Sequence, residues 1–159
     1  MTSGAEIRLL TFSTLYPSAS MPTHGIFVEQ RLRHLLASGC ATSEVIAPVP
    51  WFPSDSPRFG GYADYARVPW QETRHGIVVK HPRYLRIPKV GMSLIPGFMA
   101  AATKKLLEKT ADNGYDFDLI DAHYFFPDGV AAVILARALK KPVIVTARGT
   151  DLNLIPIYR

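Results

Sequence analysis

The stretch DFDLIDAHYFFPDG, from Asp116 to Gly129, constrains the fold more than any other part of the chain. Phe117–Ala122 is a short apolar run interrupted by two acids, which predicts a buried strand. The run VAAVILARAL then predicts a helix over Gly129–Lys140, with Asp128 as its N-cap. His123 stands where the strand gives way to the helix. In an open α/β sheet this is the carboxyl edge, where such sheets bind ligands.

The remaining hydrophobic pattern alternates strands with helices. Predicted strands are Ile7–Ser13, Glu44–Pro48, Gly76–His81 and Val143–Thr146, and predicted helices are Ile26–Ser38 and Phe98–Lys109. Pro48–Gln71 and Pro82–Pro96 are rich in proline and predict irregular connections. Apolar strands that alternate with helices predict an α/β fold with a doubly wound parallel sheet. No closing helix is predicted after the last strand, so we expect the chain to be the front portion of something longer.

Length and composition fit one globular domain. The chain has 159 residues, of which 48% are hydrophobic and 19% charged. Its single cysteine, Cys40, excludes an internal disulfide framework. The N-terminal residues MTSGAE lack the basic and apolar regions of a signal peptide, and a cytoplasmic location is expected.

The formal net charge of +5 is unevenly distributed. Residues Arg58 to Lys105 contain nine of the 18 Lys and Arg residues but only two acids, a local charge of +7. Within this region, Lys80–Lys105 mixes basic with apolar side chains, a pattern typical of peripheral contact with an anionic membrane. The alternative is that the apolar residues pack on the sheet while the bases face water. Nucleic acid is not expected as a partner, because no recognisable binding motif is present.

Three strand ends carry the candidate chemistry. Gly25 opens a helix after the first strand, where main-chain amides favour an anion, although a plain turn glycine explains it equally well. His123 is a candidate hydrogen-bond donor or proton carrier that Asp121 can orient, or a histidine that satisfies a buried carbonyl. Arg148 presents a planar fork suited to phosphate or carboxylate, and Asp151 can accept from sugar hydroxyls or pair with Arg148. The five histidines show no metal-ligand spacing.

Taken in order, these pieces resemble a known family. The segments LLTFSTLYPS, PTHGIFVEQRLRHL, EVIAP and DFDLIDAHYFFPDGVAAVILARALKKPVIVTARGTDLN are similar to the N-terminal domain of retaining glycosyltransferases of family 4. The resemblance extends over nearly the whole chain and is thin between Trp51 and Met99. It implies a Rossmann-like domain over residues 1–159, the N-terminal, acceptor-side half of a GT-B architecture. The donor-binding C-terminal domain would then be missing from this sequence.

The resemblance also implies roles for individual residues. Gly25 matches the glycine loop that contacts the donor diphosphate, although His24 replaces the first of the two glycines that are usual there. His123 matches a catalytic histidine that contacts the transferred sugar. Tyr16, Tyr124, Arg148 and Asp151 are the expected acceptor contacts. Arg148 replaces the histidine of the family's Thr-x-His-Gly-x-Asp segment.

Two functions from different classes follow. The first is transfer of a sugar from a nucleotide-sugar donor to a glycan or glycolipid acceptor in polysaccharide or cell-envelope biosynthesis. It requires a C-terminal GT-B domain and, by resemblance, no metal cofactor. On this interpretation the isolated chain is inactive, because half a cleft cannot enclose the donor. The second is a non-catalytic module from a truncated or split glycosyltransferase that binds an acceptor or docks a partner.

Overall fold

A computed structural model describes residues 6–86, 91–110 and 115–153 and contains one main sheet. Its six strands are β1 Ile7–Phe12, β2 Ala41–Ile46, β4 Gln71–Arg74, β5 Ile77–Lys80, β7 Leu119–His123 and β8 Val143–Thr146, while β3 Val49–Pro50 and β6 Arg83–Tyr84 form a second, small sheet. The six lie in the order β4-β5-β2-β1-β7-β8. All neighbouring pairs are parallel except β4 and β5, which form an antiparallel hairpin at one edge. The parallel strands thus follow the doubly wound order of a Rossmann-like α/β fold, as predicted.

Helices cover the two faces of this sheet. The helices are α1 Ile26–Ala37, α2 Gly61–Arg67, α3 Ile95–Thr110, α4 Val130–Leu139 and α5 Thr150–Asn153. One core packs α3 and α4 against residues such as Leu10, Phe12 and Ile120. The other packs Val28 and Leu32 of α1 against residues that include Val45 and Val79. Successive strand residues face opposite cores, as the pleat requires. No helix among the described residues is long and apolar enough to cross a membrane.

Most predicted elements are confirmed within a few residues. The last strand has its predicted bounds, and α1 begins at Ile26 as predicted. Gly39 follows the C-cap residue with φ 72°, a left-handed conformation that suits glycine. β2 begins at Ala41 rather than Glu44, because its first residues pair with β1 from Ile7 onwards. α3 ends at Thr110, next to the predicted Lys109, and the turn-forming pair Asn113-Gly114 that follows it in the sequence lies outside the described residues.

The two segments predicted as irregular contain regular structure. Pro48–Gln71 includes α2 and a two-residue strand, β3 Val49–Pro50, which pairs with β6 Arg83–Tyr84 in a second small sheet. α3 begins at Ile95, three residues before the predicted start, with Pro96 in its first turn, where a missing amide costs little. A short helix, α5, also starts at Thr150, where no helix was predicted.

Candidate functional site

The carboxyl edge of the sheet holds a cavity of about 630 Å³. Its wall comes from the segments that follow β1, β2, β5 and β7, together with residues from α2 and the start of α3. β1 and β7 are neighbours at the point where the strand order reverses, so the cavity opens at the crevice expected for ligands in such sheets. The volume falls within the range of roughly 300–1,000 Å³ typical of small-molecule sites.

Asp128 joins the loops after β1 and β7. Its carboxylate accepts hydrogen bonds from the main-chain amide and the hydroxyl of Thr14, the latter at 3.0 Å. The side chain is completely buried, and this burial raises the pKa of Asp128 to about 7, against the opposing effect of the Thr14 bonds. The prediction of Asp128 as an N-cap is wrong. Gly129 holds that position without a side-chain cap, because the Asp128 carboxylate is engaged by Thr14.

Gly25 is required by packing. It has φ 63° at the N-cap of α1, and a Cβ built there would lie 2.4 Å from the carbonyl carbon of Leu15. Residues with a side chain are therefore excluded by both conformation and space. Beside it, the Nε2 of His24 lies 3.1 Å from the carbonyl oxygen of Thr14. The loop after β1 thus folds back on itself at the edge of the cavity, and the expected contact of Gly25 with a diphosphate stays a prediction.

His123 is the last residue of β7 and its ring is fully buried. Nδ1 lies 2.8 Å from a terminal nitrogen of Arg148, and Nε2 lies 3.4 Å from the Oδ2 of Asp121. A guanidinium only donates and a carboxylate only accepts. A second guanidinium, that of Arg31, lies 3.3 Å from Nε2, so the shorter contact of Arg148 decides: Nδ1 accepts from Arg148, and a neutral ring then carries its hydrogen on Nε2, facing Asp121. The predicted orienting role of Asp121 agrees with this geometry.

Arg31 of α1 completes the cluster. A terminal nitrogen donates to Asp121 Oδ2 at 2.9 Å and lies 3.3 Å from His123 Nε2. Burial acts to raise the pKa of Asp121, but the hydrogen bonds and charges of His123 and Arg31 outweigh it, and the pKa is lowered. Arg31 was not among the predicted site residues, since its helical spacing is that of an ordinary solvent-facing position.

Arg148 covers the imidazole, and Asp151 holds the main chain beneath it. The Arg148 guanidinium lies 5.2 Å from the ring centroid of Phe27, and its Nε is buried without a hydrogen-bond partner in the described structure. Burial and the nearby charge of Arg31 lower the pKa of Arg148. The Asp151 carboxylate accepts from the amides of Arg148 at 2.9 Å and Phe125 at 2.6 Å. Asp151 thus fastens the loops after β7 and β8 to each other, a role that sequence reasoning missed.

The two predicted tyrosines line the cavity rather than this cluster. Tyr16 is 2% exposed, and its hydroxyl has no hydrogen-bond partner among the described residues. Burial raises the pKa of Tyr16 far above its ordinary value. Tyr124 is half-buried and has φ 90°, a conformation that costs on the order of 1–3 kcal/mol and clusters at functional sites. Its amide donates to Thr146 and its carbonyl accepts from Gly129, which holds the loop in place.

The predicted residues therefore form two groups at one edge of the sheet. Tyr16 and Tyr124 belong to the cavity wall, whereas His123, Arg148 and Asp151 form a polar cluster under α1. Tyr124 directly follows His123, so the two groups adjoin.

His81 is a further cavity residue that sequence reasoning did not select. Its Nδ1 lies 3.0 Å from the carbonyl oxygen of Ala47 and its Nε2 lies 2.9 Å from Glu72 Oε1. Glu72 also accepts from the amide of Ala19, which ties the loop after β1 to the β4-β5 hairpin. Burial lowers the pKa of His81 despite the neighbouring carboxylate.

The described residues contain no group of three or more His, Cys, Asp or Glu side chains arranged to hold a metal ion.

Fold and site together define a Rossmann-like α/β domain with a ligand-sized cavity at its switch point. No family model matches the chain. Over 154 residues, 96% of its length, it is 30% identical to a protein of Bacillus subtilis (strain 168) whose name assigns it provisionally as the teichuronic acid biosynthesis glycosyltransferase TuaC. The chain spans 39% of the length of that relative.

Proposed function

We propose that the chain is the acceptor-side part of a glycosyltransferase that works in cell-envelope polysaccharide biosynthesis. One observation carries the proposal: the 30% identity extends over 96% of the chain, to a relative named for that chemistry. The cavity at the carboxyl edge adds independent support, because it lies where Rossmann-like sheets bind their ligands.

The donor on this proposal is a nucleotide-sugar held chiefly by a C-terminal GT-B domain. Transfer breaks the bond between the anomeric carbon and the diphosphate oxygen and forms a bond to an acceptor hydroxyl oxygen, whose proton passes to the departing diphosphate, with retention of configuration and without a metal ion. The departing diphosphate must be stabilised as its bond breaks. The N-terminal end of α1 beside Gly25 would contribute to this from the N-terminal side through its partial positive charge, and the C-terminal domain would supply the rest. The reaction would take place in the cytoplasm, with no nucleic acid involved.

Arg148 has a gating role in this proposal. Both nitrogens of His123 are occupied by protein groups, so a sugar can contact the ring only after the Arg148 side chain has moved. Of the groups that contact His123, Arg148 is the one better suited to move away. Its buried Nε makes no hydrogen bond in the described structure, and an anionic group of the acceptor could accept one from it. Tyr16, Tyr124, Arg148 and Asp151 remain the proposed acceptor-side residues, with Asp151 acting through the main chain of Arg148.

The enclosure of His123 also favours the second function, a non-catalytic module that binds an acceptor or docks a partner. A fully buried imidazole that links Asp121 to Arg148 needs no substrate to explain it. The two functions differ in one outcome. Only the first predicts sugar transfer when a donor-binding domain is supplied.

Reconstitution tests the proposal. The chain is produced alone and together with the remaining C-terminal portion of the Bacillus subtilis relative, and transfer of radiolabelled sugar from nucleotide-sugars to envelope extracts is measured. We expect no transfer by either part alone and transfer by the pair. As the control, the C-terminal portion of the relative is combined with an unrelated α/β protein in place of the chain. A stable complex of folded parts that binds an acceptor but transfers no sugar would favour the non-catalytic module.

A further inference from the structure

Large apolar side chains are exposed around the mouth of the cavity. Met92 is 66% exposed and Tyr62 is 46% exposed, yet both also line the cavity wall. The exposed side chain of Leu94 lies beside the lining residue Gly91. Soluble monomers seldom expose large contiguous apolar patches without a function. We call Tyr62, Met92 and Leu94 the rim.

Aromatic side chains extend the rim. Phe52 stacks on Tyr62 with ring centroids 5.3 Å apart, and the exposed Phe59 packs edge-on against Phe52 at 5.3 Å. Trp51 is 53% exposed, and its amide donates to the carbonyl of Tyr84, a residue of the cavity wall. Phe52 and Phe59 thus continue the exposed apolar surface outward from Tyr62 at the cavity wall.

The charge near the rim is positive. Arg58 and Arg86 are exposed, and neither belongs to an ion pair among the described residues. Other bases of the region are already engaged: Arg74 pairs with Glu29, and Lys80 with Glu44. Arg83 is half-buried, donates to the carbonyl of Val68 and lies over the ring of Trp70. Arg58, Arg83 and Arg86 therefore carry positive charges that no acid pairs with among the described residues, and the exposed, unpaired Asp55 offsets one of them.

The described apolar residues of Lys80–Lys105 fall into two groups, one that packs on the sheet and one that is exposed, so each of the two interpretations of this segment applies to part of it. Ile95, Phe98 and Met99 pack into the core under α3, whereas Met92 and Leu94 face water. The apolar content of this region is thus only partly explained by packing on the sheet. What remains exposed is the part next to the cavity.

We propose that the rim is a membrane-binding surface that places the cavity mouth against an anionic bilayer. Apolar and aromatic side chains enter the interface, and Arg58 and Arg86 contact lipid phosphates. A membrane fits this surface because aromatic rings with polar edges beside arginines are the composition found at bilayer interfaces. The inference deepens the proposed function, since an acceptor entering from this side is one anchored in the membrane by a lipid.

Vesicle binding by the full chain of 159 residues tests the proposal. The probes are vesicles of phosphatidylcholine mixed with phosphatidylglycerol, and vesicles of phosphatidylcholine alone. We expect binding to the anionic vesicles that weakens as salt is added, and little binding to the neutral ones. Met92→Ser with Leu94→Ser should lower the partition coefficient about tenfold. Arg58→Gln and Arg86→Gln should lower it about fivefold each.

Matched controls use exposed residues on other surfaces. Ile134→Ser and Arg137→Gln on α4 remove the same kinds of side chain away from the cavity and should leave binding unchanged. Circular dichroism confirms that each variant is folded. The proposal is overturned if the chain binds neither vesicle, if the α4 variants weaken binding as much as the rim variants, or if it prefers single-stranded nucleic acid. Sugar transfer to a soluble acceptor without vesicle binding would overturn this inference and leave the proposed function standing.

Discussion

The carboxylate of Asp128 holds both the main-chain amide and the hydroxyl of Thr14, a residue 114 positions earlier in the chain. This pair fastens the loop after β1 to the start of α4, across the crevice between β1 and β7. The floor of the cavity therefore depends on a long-range contact made by a fully buried acid.

The raised pKa of Asp128 makes stability depend on pH. The pKa is about 7 in the folded chain and near 3.8 when unfolded, so between these values the unfolded state releases a proton that the folded state keeps. The free energy of unfolding should therefore fall as pH rises from about 4 to about 7, by up to roughly 1.4 kcal/mol per pH unit from this group. Asp128→Asn should remove that component, because it cannot titrate. Urea unfolding of both proteins across this range measures the difference. Parallel pH profiles for the two would contradict the assignment.

Gly25 should tolerate no side chain. Gly25→Ala combines a left-handed φ with a Cβ placed 2.4 Å from the Leu15 carbonyl carbon, whereas Gly39→Ala has a similar φ of 72° and open space. The conformational cost of about 1 kcal/mol is common to both, so the difference isolates the clash. We expect Gly25→Ala to lose at least 1–3 kcal/mol more than Gly39→Ala in chemical unfolding. Equal losses would mean that the loop after β1 does not approach Gly25 so closely.

The tautomer of His123 is testable directly. With Arg148 donating to Nδ1 and Asp121 accepting from Nε2, the neutral ring carries its hydrogen on Nε2. Two-bond nitrogen–proton correlation spectra of the folded chain at neutral pH should show the Nε2–H pattern for this residue. The Arg148→Ala variant lacks the group that donates to Nδ1, so its ring is no longer held in the Nε2–H form by that contact. An Nδ1–H pattern in the unaltered chain would show that Arg148 does not cover the ring as described.

Tyr16 carries a buried hydroxyl without a partner. Removing an unsatisfied polar group from the interior is neutral or stabilising. Tyr16→Phe should therefore leave the midpoint of thermal unfolding unchanged or raise it. In the reconstituted enzyme the same variant separates two roles for Tyr16. An unchanged KM for the acceptor would assign it to packing, and a large rise in KM would support its predicted acceptor contact.

Local patterns were sufficient to predict most of the fold. The run VIVT is short and consists of β-branched residues, and Pro142 and Ala147 flank it. β8 spans these four residues, Val143–Thr146. β4 was missed because Gln71–Arg74 is polar and partly exposed, as an edge strand allows. Its signal lay in the two-residue turn His75-Gly76, where both residues have positive φ, as tight hairpins require.

The site was predicted less well, because its defining contacts are distant in sequence. The local rule that places an acid at an N-cap failed for Asp128, since the competing donors come from Thr14. Arg31 has no local signal at all, because only the packing of α1 over β7 brings it to Asp121. Position relative to strand ends did predict that His123 and Arg148 share one edge, and the structure brings them within 2.8 Å.

The rate of sugar transfer by the reconstituted enzyme with and without His123 tests the central claim most directly. His123→Ala should lower kcat by about a hundredfold or more if the ring supports the transferred sugar. His34→Ala, which removes an exposed histidine from α1, should leave kcat unchanged. Circular dichroism and complex formation verify that both variants are folded. A folded His123→Ala variant that transfers sugar at the unaltered rate would contradict a catalytic role for this edge of the sheet.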